Sequence, residues 1–188
     1  AGNVSPASVA LSVTIDTVAA APTALDLTAA SDSGSSSTDN ITNDNTPNIT
    51  ITMTDNLDPS TSYNIYVDGT INKTGTITNN TATNVTLDLQ SDGLKLIIAE
   101  SVDDSGRRTN SSTLYIKVDT VAPVVTLPVY TNATQRRSSQ TLTLNISVTE
   151  SQTSVSTCLV FVAGQSSNTT ITYSSGWCNG SISLSGSN

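Results

Sequence analysis

Histidine is absent from this chain of 188 residues, and charged and aromatic residues are scarce, at 12% and 4%. Without histidine the chain lacks the usual base of a catalytic triad and one of the main zinc ligands. Seven Lys and Arg against fifteen Asp and Glu give a formal net charge of −8, which disfavours nucleic acid as a partner. We therefore expect a protein that is neither an enzyme nor a nucleic-acid binder.

Long apolar runs are missing as well. No stretch approaches the ~18 apolar residues that a membrane-spanning helix needs, so we expect no membrane span. The chain shows no signal peptide, and we therefore expect that it is either mature or written without its leader.

The cysteines are a single pair, Cys158 and Cys178. An even number of cysteines in a chain of extracellular composition predicts a disulfide. A bridge between them would close a loop of about 20 residues, which stabilises a fold by about 3 kcal/mol in the chain-entropy account. A catalytic thiol needs a neighbouring base, and no histidine is present to serve as one.

Hydroxylic residues and asparagine dominate what is present, with 29 Ser, 32 Thr and 17 Asn. Asn-x-Ser/Thr triplets, the acceptor sequence for N-glycosylation, occur eleven times, about twice the number expected from this composition. The excess predicts an N-glycosylated protein that is extracellular or at the cell surface. The alternative is that Asn and Thr serve turns and strands. The candidate glycosylation sites are Asn3, Asn40, Asn48, Asn72, Asn79, Asn84, Asn110, Asn132, Asn145, Asn168 and Asn179.

Apolar residues alternate with polar ones in short runs, and helical periodicity is nearly absent. In residues 49–53 the apolar side chains share one face and the threonines share the other. Residues 84–89 and 142–148 repeat this pattern, and in each run a glycosylation acceptor, Asn84 or Asn145, falls on the outward face. These runs predict an all-β protein.

One segment of the chain recurs about a domain later. Residues 13–19 reappear as residues 116–122, at an offset of 103, with their apolar positions in phase. A second match joins residues 63–69 to residues 158–164. A period near 100 residues suits a seven-stranded β-sandwich.

Several short motifs resemble those of the bacterial immunoglobulin-like (Big) repeat domains of large surface adhesins and extracellular filaments. Residues 16–19 and 119–123 are similar to the DT-x-AP linker of that family, and residues 67–69 and 91–93 are similar to its turns. The opening residues 1–3 match the A-G-N loop between its last two strands. The resemblance covers nearly the whole chain. It implies immunoglobulin-like β-sandwich domains in tandem, in a structural protein of the cell surface.

The alternating runs divide between two such domains. Residues 19–121 accommodate seven strands, whereas residues 122–188 accommodate five, so we expect the second domain to lack its last strands. Residues 1–18 precede both, and residues 7–15 within them are predicted to be a strand of the type that ends a domain. The predicted strands are 24–28, 47–54, 61–68, 74–79, 84–89, 94–100 and 113–118, then 124–128, 140–148, 156–162, 169–173 and 181–184.

Acidic residues gather in two loops, residues 32–44 and 103–104, which offer the oxygen ligands that calcium prefers. The resemblance implies calcium between domains, held by carboxylates of these loops and of the DT linkers; the alternative is that the acidic loops are solvated turns. The corresponding loop of the second domain, residues 130–140, has two arginines and no acid, which disfavours calcium there. No cofactor is expected to be required, and calcium is the one ion that the pattern favours. The candidate ligands are Asp16, Asp39, Asp44, Asp103, Asp104 and Asp119.

The N-terminal segment and the incomplete second domain are complementary. An open sandwich exposes inner apolar side chains and unpaired backbone groups along an edge. We expect the N-terminal segment to insert as a donor strand into a neighbouring copy, which would join copies head to tail into a homopolymeric filament. The donor positions, which form one alternating apolar face, are Val9, Leu11, Val13 and Ile15.

Two other functions stay open. The chain could be a segment of a giant tandem adhesin stalk stiffened by calcium, in which residues 7–15 complete the preceding domain. It could also be a glycan-binding module, although such modules display exposed aromatic residues and this chain has few. Neither the filament nor the stalk supplies the penultimate strand of the second domain. The expected partner in the filament is another copy of this chain, and a host or surface receptor is left open.

Overall fold

The computed structural model describes residues 2–55, 58, 60–127, 140–161 and 167–184. All regular structure in these ranges is β-strand, which confirms the expected all-β class. No helix long and apolar enough to cross a membrane occurs in the described residues. By residue contacts the chain divides into two compact units. Unit 1 comprises residues 1–26, 49–87 and 96–114, and unit 2 comprises residues 27–48, 88–95 and 115–188.

Short alternating runs become strands throughout the chain, because alternation lets one face be buried while the other stays in water. The strands are β1 (Thr23–Leu27), β2 (Ile41–Thr42), β3 (Asn48–Thr52), β4 (Ser60–Val67), β5 (Thr70–Thr78), β6 (Thr83–Thr86), β7 (Gly93–Val102), β8 (Arg108–Asn110), β9 (Leu114–Val118), β10 (Val124–Thr126), β11 (Gln140–Thr149), β12 (Cys158–Val160), β13 (Thr169–Ser174) and β14 (Trp177–Leu184).

Three sheets contain these strands. One has the order β1-β3-β6, and a larger one has the order β2-β9-β7-β4-β5 with β8 paired to β7. Within the larger sheet β2 runs parallel to β9, while β4 is antiparallel to β5 and β7. The β4–β5 hairpin turns through Asp68 and Gly69, whose positive φ angles of 50° and 80° suit a two-residue turn.

The core of unit 1 lies between faces of two sheets. Ile49 and Ile51 on β3 are fully buried, as are Ile65 on β4 and Ile97 on β7. Packing of inward-facing residues from two sheets is the arrangement of a β-sandwich, and the expected immunoglobulin-like class is therefore confirmed.

The sheet of β10–β14 has the order β10-β11-β14-β13-β12 and lies in unit 2. Its longest pairing joins β11 to β14, from Gln140 opposite Leu184 to Ser147 opposite Trp177. Its inward residues form a second apolar cluster of Leu144, Ile146, Val148, Cys158, Ile171, Cys178 and Ile182.

The predicted strands and the observed strands agree in place and differ mainly at their ends. Residues 2–22 contain no strand in this structure, and a strand at residues 7–15, expected to pair with another copy, stays a prediction. A strand forms only against a neighbouring strand, and nothing pairs with this segment within the described residues. The strands β2 and β8 had no counterpart in the prediction. The assignment of domains to residues 19–121 and 122–188 stays a prediction.

Candidate functional site

An exposed apolar segment precedes the first strand. Val9 and Leu11 are 93% and 86% exposed, and Val13 and Ile15 are 68% and 77% exposed. Such large apolar side chains at every second position are costly to leave in water, and together they make the kind of patch that marks an interaction site. The structure thus leaves the four predicted donor positions accessible, without a strand partner in the described part of the chain.

An apolar groove lies on the sheet of β10–β14. Its volume is about 260 Å³, and its wall is mostly aliphatic. The side chains come from all five strands β10–β14 and from the stretches before β10 and β12, so the groove exposes part of the inner face of the sheet. The aliphatic lining residues are Val125, Ile146, Val148, Val155, Leu159, Val160 and Ile171.

Two strand edges border this groove. In the sheet order β10 and β12 are the terminal strands, so among the described residues each has one paired side and one open side. Val125 on β10 and Val160 on β12 both line the groove. Open edges carry unpaired N–H and C=O groups that can accept an additional strand. The groove therefore combines an apolar floor with backbone groups able to bind an extended peptide.

The predicted disulfide lies at the same groove. Cys158 on β12 and Cys178 on β14 are bonded, with their Cα atoms 6.0 Å apart. Both residues line the groove, and both are nearly buried. The bridge ties the edge strand β12 directly to β14, which is two strands away in the sheet order.

An acidic cluster brings together three carboxylates of unit 1. Asp16, Asp58 and Asp103 each offer an oxygen within 4.8 Å of the others. Asp16 and Asp103 were predicted as calcium ligands, whereas Asp58 was missed. Asp58 lies in the loop between β3 and β4, which also contains Asp55. Two acids in one short loop are the sequence signal that could have identified Asp58.

Hydrogen bonds fix this cluster but leave two oxygens unused. Asp103 Oδ1 accepts the Ser105 hydroxyl at 2.8 Å and the Arg107 N–H at 2.7 Å. Asp16 Oδ1 accepts the Val18 N–H at 2.9 Å. The other oxygen of each, Asp16 Oδ2 and Asp103 Oδ2, is buried and has no hydrogen-bond partner within the part of the chain that the structure describes. A buried carboxylate oxygen without a donor is costly unless a cation meets it.

Two members of the cluster, Asp103 and Asp58, have pKa values shifted in opposite directions. Burial alone would raise the pKa of Asp103, but hydrogen bonds from Ser105 and Arg107 and the positive charge of Arg107 hold that pKa below its usual value. The Asp104 N–H lowers the pKa of Asp58, but burial and the negative charges of Asp104, Asp55 and Asp16 together raise it. Concentrated negative charge of this kind is what a bound cation would relieve.

The other predicted ligands lie outside this cluster of three. Asp39 and Asp44 accept hydrogen bonds within their own loop, from Ser36 and Ile41 to Asp39 and from Ser31 and Thr46 to Asp44. The Asp104 N–H binds Asp58 Oδ2 at 3.3 Å. Asp119 accepts the hydroxyl of Thr153 at 2.7 Å and the N–H of Val121 at 3.2 Å. Calcium at these four positions stays a prediction.

The glycosylation acceptors that the structure describes are all at least partly accessible. Asn3, Asn84, Asn110, Asn145, Asn168 and Asn179 are exposed. Asn40, Asn48, Asn72 and Asn79 are partly buried, and Asn132 lies outside the described residues. Asn145 on β11 stands directly opposite Asn179 on β14. Attachment of glycans stays a prediction at every one of these positions.

Comparison with known proteins identifies the family of the first part of the chain. Residues 18–120 match the bacterial Ig-like domain family, and a search of curated proteins found no match. The matched stretch is more than half of the chain, includes Asp58 and Asp103, and begins two residues after Asp16. Domains of this family are typically non-enzymatic structural modules of extracellular or surface proteins. The chain belongs to the bacterial Ig-like domain family.

Proposed function

We propose that this protein is a structural subunit of an extracellular filament, in which the segment containing Val9, Leu11, Val13 and Ile15 of one copy inserts into the β10–β14 groove of the next. The observation that supports the proposal is complementarity. Among the described residues the segment has an apolar face and no strand partner, and the groove has an apolar floor and two strand edges without a neighbour. An inserted strand would bury the apolar face of the segment on the floor of the groove, and its backbone would form hydrogen bonds with the open strand edges.

Burial of the donor face supplies a driving force of useful size. Transfer of one Val, Leu or Ile side chain from water to an apolar site contributes about 1.5–3 kcal/mol. Four such side chains offset much of the cost of ordering an extended segment and of associating two chains. Because the donor and the acceptor are different surfaces, the contact is heterologous, and repetition of it produces an open filament unless the rotation between copies closes a ring.

Calcium at the acidic cluster is the second part of the proposal. Asp16 follows the last donor position, Ile15, by one residue, and it meets Asp58 and Asp103 at the cluster. Arg107 adds a hydrogen bond from its guanidinium to the Thr17 carbonyl at 2.8 Å. Calcium bound by these carboxylates would fix the chain where it leaves the donor segment, and so limit bending between successive contacts.

A matched pair of substitutions tests the strand insertion. Leu11→Asp places a charge on the apolar donor face, whereas Ser12→Asp places the same charge on the opposite face of the same segment. We expect Leu11→Asp to abolish filaments seen by electron microscopy and Ser12→Asp to retain them. Filaments of normal length and number from Leu11→Asp would refute the insertion.

The strongest rival is a stalk of covalently joined domains, which the family match and the acid just before the matched stretch both favour. The mass of native material after reduction, denaturation and deglycosylation separates the two. A species near 19.4 kDa means discrete subunits held by contacts such as strand insertion. A species of hundreds of kilodaltons means a tandem array.

Calcium has its own test. Asp58→Asn removes one carboxylate of the cluster without shortening the side chain, and we expect it to reduce the rise in melting temperature that calcium produces. Asp26→Asn, an exposed acid on β1, provides a control of equal charge change. An unchanged calcium response in Asp58→Asn would overturn the assignment to this cluster.

A further inference from the structure

The outer face of the β10–β14 sheet, opposite the groove, carries the single tryptophan of the chain, Trp177. Trp177 begins β14 directly after a two-residue turn at Ser175 and Gly176, whose φ angles of 51° and 84° are those of a tight hairpin turn. The Val148 N–H of β11 donates to the Gly176 carbonyl at 2.8 Å, which ties the turn to the neighbouring strand. The backbone of Trp177 is therefore well held, yet its side chain is 44% exposed.

The neighbours of Trp177 on this outer face are small and polar. Across the two adjoining strands it stands opposite Ser147 on β11 and Ser174 on β13. Along its own strand the next residue on the same face is Asn179, because alternate residues of a strand share a face. None of these side chains is large enough to cover an indole ring, so an apolar surface stays in water beside an exposed asparagine.

Asn179 is the acceptor of a glycosylation triplet that Ser181 completes. Its Cα lies about 6.5–7 Å from that of Trp177, which is the two-residue repeat of a strand. Cys178, between them, points inward and is bonded to Cys158. The disulfide thus holds β14 from the inner side at the point where Trp177 and Asn179 project outward together.

We propose that Asn179 carries a glycan whose first sugar stacks on the face of the Trp177 ring. One face of a pyranose ring presents C–H groups with small positive partial charges, and the face of an indole ring is negative. Stacking also removes apolar surface of both groups from water. The exposed apolar side chain thereby receives a partner that is covalently attached two residues away.

The attachment is a group transfer that a separate transferase catalyses. Asn179 Nδ2 forms a bond to C1 of the sugar and loses one proton. The bond between C1 and the phosphate oxygen of a lipid-linked oligosaccharide breaks, and the phosphate leaves with the electron pair. Because Asn179 is exposed and only its side chain is modified, the backbone pairing of β14 is retained.

Asn145 is the competing acceptor nearest to the ring on the adjoining strand. It stands directly opposite Asn179, and it is diagonal to Trp177 because Trp177 pairs with Ser147. Diagonal neighbours on adjacent strands are about 7–8 Å apart, which is farther than the same-strand spacing. We therefore assign the stacked sugar to Asn179, and Asn145 provides the matched control.

The glycan and the groove lie on opposite faces of the same strand. Cys178 lines the groove, whereas Trp177 and Asn179 point away from it. A glycan at Asn179 therefore leaves the groove accessible to a donor strand, and the stacking does not depend on whether a filament forms. The sugar would also cover the outer face of the sheet and keep other sheets from packing against it.

Occupancy is the first measurement, on protein from its native source. Chymotrypsin cleaves after aromatic residues and separates the peptide of Asn179 from those of Asn145 and Asn168. Trypsin would leave all three on one peptide, because no Lys or Arg follows Arg137. Mass spectrometry of the reduced chymotryptic peptides should find a glycan on Asn179, and an unmodified Asn179 would overturn the proposal.

The fluorescence of the single tryptophan then reports the stacking. Asn179→Gln removes the acceptor and keeps an amide. In glycosylated material we expect this variant to emit at longer wavelength and to be quenched by acrylamide about twofold more strongly, because the indole face returns to water. Asn145→Gln removes the acceptor directly opposite and should change neither property. Equal spectra for wild type and Asn179→Gln, or an equal shift with Asn145→Gln, would contradict the assignment.

A chain produced in a host without N-glycosylation separates the glycan from the substitution. In that material wild type and Asn179→Gln should have the same emission as the glycosylated Asn179→Gln variant. A shift between the two unglycosylated chains would trace the effect to the side chain and refute the stacking.

Thermal unfolding tests the part played by the ring. Trp177→Ala should lower the melting temperature by about 2–4 °C more in glycosylated than in unglycosylated protein, because only the former loses a stacked sugar. An equal decrease in both would mean that Trp177 contacts protein alone, and the proposal would fail.

Discussion

The core of unit 1 and the core of the β10–β14 sheet are made of the same aliphatic residues but are closed to different degrees. Ile49, Ile51, Ile65 and Ile97 in unit 1 have exposures of 0%. In the β10–β14 sheet the corresponding side chains keep some exposure, 9% for Ile146, and several of them line an open groove. Alternation is therefore enough to form a sheet, whereas closure of its core depends on what covers the inner face.

The largest expected difference between the two cores is in the cost of removing a buried side chain. Ile97→Ala should lower the free energy of unfolding by about 3–4 kcal/mol, because it leaves a cavity in a closed core. Ile146→Ala should cost about 1–2 kcal/mol, because solvent already reaches the groove beside it. Urea unfolding measures both.

Ile71→Ala serves as the control for these two variants, because this side chain on β5 is 53% exposed and its loss should change stability little. Equal costs for Ile97→Ala and Ile146→Ala would remove the distinction between a closed core and an open one.

The next effect concerns the disulfide. Replacing Cys158 and Cys178 together by serine should destabilise the β10–β14 sheet by about 3 kcal/mol and leave the unfolding of unit 1 unchanged. Calorimetry that resolves two transitions measures this, and reduction of the wild-type chain should reproduce it. If the midpoint temperatures of both transitions decrease together, the two cores do not unfold independently.

A smaller effect should come from a peptide that covers the groove. A synthetic peptide of residues 5–18, added to a chain that lacks residues 2–18, should stabilise the β10–β14 sheet by about 2.7 kcal/mol at a concentration one hundred times its Kd. This stabilisation comes from burial of the donor face against the groove. Thermal unfolding at several peptide concentrations measures it. A peptide carrying Leu11→Asp is the control, and an equal rise with both peptides would contradict specific insertion.

The smallest effect is a pH dependence in unit 1. Burial alone would raise the pKa of Glu100, but hydrogen bonds from Asn64, Arg108 and Tyr66 and the charge of Arg108 lower it. Because the folded-state pKa is below the ordinary 4.5, the stabilisation is complete above pH 4.5 and is lost as pH falls through the folded-state value. We expect about 1 kcal/mol or less, since the Arg108 side chain is 56% exposed and solvent screens it.

Melting temperatures between pH 7 and pH 3 test this contribution. Glu100→Gln should flatten the acid limb of the curve, and Arg108→Ala should flatten it in part because Asn64 and Tyr66 still donate to Glu100. An acid limb unchanged in Glu100→Gln would assign the pH dependence to other groups.

Alternation alone predicted most of the fold. The runs at residues 49–53 and 142–148 became β3 and β11 because each has one apolar face long enough to bury. Strand β2 was not predicted because its two residues, Ile41 and Thr42, are too few to show an alternation of apolar and polar side chains. Strand β8 escaped because Arg108–Asn110 are polar and pair only at an edge of β7.

The sites were harder to predict than the strands. Asp16 and Asp103 were identified from their loops, but Asp58 joins them only through the meeting of loops far apart in the sequence. The segment at residues 7–15 has the pattern of a strand, yet it forms none in the described structure, because pairing depends on a partner that the pattern cannot supply. A local pattern therefore identifies which side chains can act together but not which of them meet.

The groove bordered by β10 and β12 has a consequence for the polarity of growth. In a filament built by strand insertion, one terminus presents an empty groove and the other presents a free donor segment, so the two termini add subunits by different reactions. A chain without residues 2–18 could accept a neighbour but could not donate to one. Incorporation of such a chain would stop elongation at one terminus only, and small amounts of it would set filament length.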